Sequence, residues 1–182
     1  MYQISTPAPP FDTLVTGLFI ACIPGHSKAA LLLLSKGADP NKAAKGFIKY
    51  ENEEEFAQVR NPLYLAVKRR DTKLVSSLLE RGADPNKGEK MTFENGRVSV
   101  RTPLYAAVKT FYRTNVSTEV VRGLLERGAD PNKETRSTQL DGDVYEETPL
   151  YVAAKIGSTE IVRILLERGA RQDLDGGGGE IG

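Results

Sequence analysis

The sequence predicts a mainly α fold, a solenoid of tandem helix–turn–helix units joined by extended β-hairpin fingers. Three observations predict it. One stretch recurs four times in the 182 residues. Each copy carries two short apolar helices that cannot bury their faces without neighbours of the same shape. Between the copies lie insertions with turn residues and the alternation of strands.

The clearest copy is Thr148 to Ala170, TPLYVAAKIGSTEIVRILLERGA. Thr148 suits a helix N-cap, and Pro149 suits the first helical position, where its missing N–H costs nothing. Leu150, Val152, Ala153 and Ala154 make a short apolar helix, which Gly157 ends in a left-handed conformation. Ser158 caps a second helix, and Glu160 lies in its first turn, where the helix dipole favours a negative charge. Ile161, Ile164 and Leu165, flanked by Val162 and Leu166, form its apolar stripe. Thr16–Gly37 and Asn61–Gly82 repeat this stretch without gaps. Thr102–Gly128 repeats it with five extra residues around Phe111–Asn115. The aromatics there, Phe111 and Tyr112, either pack on a neighbouring helix or face a partner.

Three copies continue into one turn: Gly37-Ala38-Asp39-Pro40-Asn41, Gly82 to Asn86 and Gly128 to Asn132. Together these features resemble the ankyrin repeat, with its T-P-L-H-x-A motif, helix–turn–helix and G-A-D-x-N turn. The resemblance spans roughly residues 12 to 174. It implies a stack of helix pairs with hairpins along one side, and protein–protein interaction as the function. Two departures stand out. The motif histidine is Phe19, Tyr64, Tyr105 or Tyr151 here. The glycines at 37, 82, 128 and 169 are 45, 46 and 41 apart, where the family unit is about 33 residues.

The expected organisation is an N-terminal arm at 1–11, one repeat domain at 12–175 and a Gly-rich tail at 176–182. The repeats cover about 12–42, 60–87, 101–133 and 147–174, with insertions at 43–60, 88–101 and 134–147. The first insertion reads as a hairpin with an acidic tip around Glu53 and Glu54. In the second, Asn95-Gly96 is a preferred two-residue turn. It would pair Glu94 with Arg97, Phe93 with Val98, Thr92 with Ser99 and Met91 with Val100, placing Met91, Phe93, Val98 and Val100 on one face. In the third, turns at Asp141-Gly142 or Gly142-Asp143 would set Leu140 opposite Asp143 or Tyr145. The second helix of the first repeat, Ala29–Leu34, is more apolar than a terminal repeat needs. Either the arm or another chain covers it.

Chemistry is sparse. The net charge is +1, and there is one cysteine and one histidine. A disulfide framework within the chain is therefore excluded, and bulk attraction to nucleic acid or membrane is not expected. Cys22 reads as a small core residue. No phosphate-loop, metalloprotease or nucleophile-elbow motif is present, and Asp141, Asp143 and Glu146 lack the rest of a calcium loop. No catalytic residue, metal ligand or cofactor is expected. The apolar run Leu14–Ile23 lacks the basic start of a signal peptide. The expected location is cytoplasmic, with secretion or delivery into a host cell as the alternative.

The resemblance implies that partners are met by hairpin tips, first-helix ends and the residue before each terminating glycine. Those positions hold Arg60, Arg101 and Glu147, then Lys68-Arg69, Lys109-Thr110 and Lys155-Ile156, then Lys36, Arg81, Arg127 and Arg168, most of them basic, which makes a basic strip in a nearly neutral chain. Glu53, Glu54, Phe93, Asn95 and Tyr145 on the fingers complete the expected contact set. The expected function is a non-enzymatic module binding a protein with an acidic patch through a basic concave face. The alternatives are nucleic-acid binding along the strip and self-association.

Overall fold

A computed structural model of the chain describes residues 17–22, 26–48, 56–93, 95–111, 116–138 and 143–172. Among them are eight helices and six strands. The first repeat contributes α1 (Gly17–Cys22) and α2 (Ser27–Ser35). The strands β1 (Ala44–Ile48) and β2 (Phe56–Arg60) lead to α3 (Pro62–Lys68) and α4 (Thr72–Glu80). Next come β3 (Glu89–Phe93), β4 (Val98–Arg101), α5 (Pro103–Phe111) and α6 (Val116–Glu126). The last are β5 (Thr135–Thr138), β6 (Val144–Glu147), α7 (Pro149–Lys155) and α8 (Thr159–Glu167).

The helices start where the sequence places caps. The hydroxyl oxygens of Thr102 and Thr148 each accept from the backbone N–H three residues on, at 3.1 Å. Asp71 accepts likewise from Leu74 at the start of α4. Ser158 sits at the N-cap of α8 but makes no side-chain cap bond, so its expected cap is backbone geometry only. At the end of α4, Gly82 adopts φ +82°, and the next N–H, of Ala83, turns back to the Leu78 carbonyl. That closure satisfies carbonyls the helix would leave open. It recurs after α2, α6 and α8.

The first helices α1, α3, α5 and α7 pack in one row, and α2, α4, α6 and α8 in a second. One apolar core runs between the rows, including Leu18, Leu63, Leu104, Leu78, Leu124 and Ile164. Cys22 belongs to it, and burial pushes its thiol up to about 11. The turns are linked by a repeated clamp. The Asn41 side-chain amide donates to the Gly82 carbonyl and accepts from Asp84 N–H. Asn86 does the same to Gly128 and Asp130, and Asn132 to Gly169 and Arg171.

The insertions do not stand apart as fingers. β2 pairs with β3 and β4 with β5, so three hairpins form one antiparallel sheet in the order β1-β2-β3-β4-β5-β6. The reason is dimensional. A hairpin is two strands wide, roughly 9.5 Å. Packed helices lie about 8–10 Å apart. Each stacking step therefore delivers the next hairpin at hydrogen-bonding distance.

Two expected registers are corrected. In the second hairpin Met91 pairs with Ser99 and Thr92 with Val98, one residue away from the expected pairing. Phe93 N–H donates to Arg97 O and Gly96 N–H to Phe93 O, so three residues, not two, connect the strands. Among the described residues of the turn only Gly96 takes positive φ, at +82°; Asn95 keeps ordinary backbone geometry and its side-chain oxygen accepts from Arg97 N–H. This is the three-residue loop closed by a glycine bulge. It splits the expected apolar face: Met91 and Phe93 lie with Ser99 and Arg97, opposite Val98 and Val100. In the third hairpin Ser137 pairs with Tyr145 and Thr138 with Val144, which neither expected turn produces. Its tip, like the Glu51–Glu55 tip and Tyr112–Asn115, lies outside the described residues.

Candidate basic interaction face

The candidate face forms where the first helices meet the base of the sheet. Tyr64 and Lys68 are one helical turn apart on α3, so both project from the same side. The Tyr64 hydroxyl donates to Glu89 Oε2 at 3.0 Å. Glu89 opens β3, and its side chain is 0% exposed. Arg60, at the end of β2, donates its Nε to Glu89 Oε1 at 2.5 Å. Arg101, paired with Glu89 across the hairpin, brings Nη1 to 3.9 Å of the other oxygen. Lys68 Nζ lies 4.0 Å from Oε1 and 5.8 Å from the centre of the Tyr64 ring. One buried carboxylate thus gathers three cations and a phenol.

The next repeat builds a second, wetter version. The Tyr105 hydroxyl donates to Glu147 Oε2 at 2.7 Å and receives Lys109 Nζ at 3.3 Å. Lys155 Nζ lies 3.4 Å from Glu147 Oε1. Lys109 and Lys155 stand 5.5 Å over the rings of Tyr105 and Tyr151, one turn before each in its helix. This is cation–π distance. The two clusters hold five cations, Arg60, Lys68, Arg101, Lys109 and Lys155, against the carboxylates Glu89 and Glu147, a surplus of three.

The environment tunes these groups. Burial, then the Glu89 charge, pushes the Tyr64 hydroxyl above its ordinary range. Burial, then the hydrogen bond to Glu147, does the same to Tyr105. Burial lowers the Lys68 ammonium, partly offset by Glu89. These tyrosines remain hydrogen-bond donors at neutral pH, as their partners require.

The structure therefore brings together Arg60, Lys68, Arg101, Lys109 and Lys155. Arg69 is exposed just beyond α3. Arg81, Arg127 and Arg168 lie elsewhere, at the ends of α4, α6 and α8. Arg127 donates to the Leu79 carbonyl at 2.8 Å, and Arg168 pairs with Glu126 at 3.3 Å. Phe93 and Asn95 lie at the second turn, where the Arg97 guanidinium is 4.6 Å from the Phe93 ring centre. Tyr145 is exposed on β6. Glu53 and Glu54 lie outside the described residues.

Sequence reasoning missed Glu89 and the three clamp asparagines, and it placed Glu147 at a contact position without its role as acceptor for Tyr105. The tyrosine at the motif's histidine position was the available signal. A phenol is longer than an imidazole and ends in a hydroxyl, so its recurrence in three repeats asks for acceptors at the edge of the sheet. The asparagines were signalled by their return at the same place in three turns.

Among the described residues no group of His, Cys, Asp or Glu could hold a metal ion. No helix there is long and apolar enough to cross a membrane.

Two rows of helices, a repeated turn clamp and a lateral sheet define a stacked-repeat protein. The family pattern for ankyrin repeats in three copies matches residues 101–176, and that for a single ankyrin repeat matches 60–90. The chain belongs to the ankyrin-repeat family. Such repeats generally serve as protein–protein interaction modules. No curated protein matches the sequence significantly.

Proposed function

We propose that this chain is a non-catalytic interaction module, a repeat solenoid with lateral hairpins, that binds a protein carrying an acidic patch. The binding face is the one built by the first helices and the base of the sheet. The observation that carries this reading is the surplus of three cations around Glu89 and Glu147. Lys109 and Lys155 are exposed, and exposed ion pairs contribute only about 0–1 kcal/mol each, so fold stability is a weak reason for these two lysines. A surplus of one sign steers and selects a partner of the other. The helix rows and the shared sheet hold these side chains in place before binding, which lowers the ordering cost of association.

The test is capture from lysate with the intact chain and with the Lys109→Glu/Lys155→Glu variant, proteins being identified by mass spectrometry. Both lysines are exposed and lie outside the buried Glu89 cluster, so the variant keeps its fold. The expected result is a set of acidic proteins that the variant loses and that moderate salt releases. Equal capture by both chains would overturn the reading. Retention of single-stranded DNA on a filter, lost in the variant, would replace a protein partner with nucleic acid.

A further inference from the structure

Stacking buries a defined set of positions between neighbouring repeats, and the two ends of the array display that set unpaired. In the third repeat Leu104, Tyr105, Val108, Val121 and Leu125 are buried. Their counterparts in the last repeat are Leu150, Tyr151, Ala154, Val162 and Leu166. Here Tyr151 is 40% and Leu166 37% exposed, and all five line an open groove of about 380 Å³. At the opposite end Ile20 is 55% and Leu32 61% exposed. Their counterparts in the last repeat, Val152 and Ile164, are buried. One end therefore carries the receiving half of a repeat interface and the other end the inserting half.

Charge agrees with that match at one pair. Within the chain, Arg168 at the end of α8 pairs with Glu126 at the end of α6. The counterpart of Arg168 in the first repeat is Lys36, and that of Glu126 in the last is Glu167, so continuing the stack sets Lys36 against Glu167. The other inter-repeat pair, Arg122 with Glu160, would become Arg163 near Lys28. Arg163 shares Glu160, at 2.5 Å, with Arg122 and lies 4.0 Å from Glu167, so this second pair does not favour the junction and the Lys36–Glu167 pair carries the charge argument. The sheet ends at β1 and β6, and because each hairpin lies between two repeats, the junction of α7 and α8 with a second copy's α1 and α2 leaves one hairpin place between those edges, so the contact is made by the helices.

We propose that a second copy of this chain docks head to tail, its α1 and α2 stacking on α7 and α8 as a fifth repeat. The contact joins unlike surfaces, so it does not close on a dimer and extends with concentration. It meets the basic face only at Tyr151, beneath Lys155, and the variants below lie elsewhere, so its failure would leave the acidic-partner reading untouched.

The experiment is sedimentation velocity of the full chain from micromolar to millimolar concentration. The average mass is expected to rise. Leu32→Glu and Leu166→Glu, each at an exposed position, should each weaken association roughly tenfold or more. An equimolar mixture of the two should form a dimer and stop there, because one intact surface of each kind remains. Lys36→Glu should weaken association several-fold, and adding Glu167→Lys to it should restore it. A mass independent of concentration would overturn the proposal. Association abolished by one leucine variant and untouched by the other would also overturn it, since a contact between identical faces behaves that way.

Discussion

The second and third hairpins share one pairing at their base and place its carboxylate on opposite strands. The first residue of each leading strand pairs with the last residue of the returning strand: Glu89 with Arg101 in one, Thr135 with Glu147 in the other. In the second hairpin the carboxylate is on the leading strand and fully buried, and the cations come to it. In the third it is on the returning strand and partly exposed, and one lysine reaches it. The tyrosine of the preceding first helix finds a carboxylate in both, from opposite strands. The recurring requirement is an acceptor for that hydroxyl, and which strand supplies it is free to vary.

Three experiments would break or sharpen this contrast. The largest effect is expected at Gly88, where a Cβ would stand 1.6 Å from the Arg101 carbonyl oxygen. Gly88→Ala must part the base of the second hairpin and should cost roughly 3 kcal/mol or more by urea unfolding. Glu134→Ala, at the matching exposed position of the third, should stay within about 0.5 kcal/mol. Equal losses would mean that the two bases are equally tight.

Next comes removal of the carboxylates. Glu89→Ala leaves two half-buried arginines, Lys68 and a buried phenol without their acceptor, and should destabilise by roughly 3 kcal/mol. Glu147→Ala breaks partly exposed contacts and should cost about 1 kcal/mol. The same unfolding assay ranks them, and a reversed order would refute the burial argument.

The smallest effects are those of the hydroxyls. Tyr64→Phe and Tyr105→Phe should each lose about 1 kcal/mol at neutral pH. They carry a pH signature as well. Both hydroxyls ionise above their ordinary value of 10.0 in the folded chain. Their contribution is whole below that pH and is lost as pH rises, because the unfolded chain releases those protons first. Each substitution should therefore flatten the alkaline fall of stability, measured by thermal unfolding between neutral and strongly alkaline pH. An unchanged slope would count against the buried hydroxyl–carboxylate bonds.

Much of the fold could be read from local residues. Thr148, Pro149 and Gly157 mark helix ends by their own chemistry, and the recurrence of the T-P-L motif gives the stack. The sheet could not be read this way, because the match between hairpin width and helix spacing is a property of the assembled array. The register of the second hairpin eluded the turn rule because Asn95-Gly96 serves both a two-residue turn and the end of a three-residue one. The basic positions were legible one by one. Their convergence was not, since Glu89 becomes a buried hub only once β2, β3 and β4 lie side by side.

The continuous sheet has a consequence for cooperativity. An array whose repeats touch only through side chains can fray from an end, one unit at a time. Here backbone bonds from β2 to β3 and from β4 to β5, with the asparagine clamps on the turns, join the middle repeats along two parallel rails. Melting one repeat strips hydrogen bonds from its neighbour's strand as well as contacts from its helices. The coupling between units is raised relative to the stability of each, and the array gains the all-or-none unfolding of a globular domain while keeping the reach of a linear one.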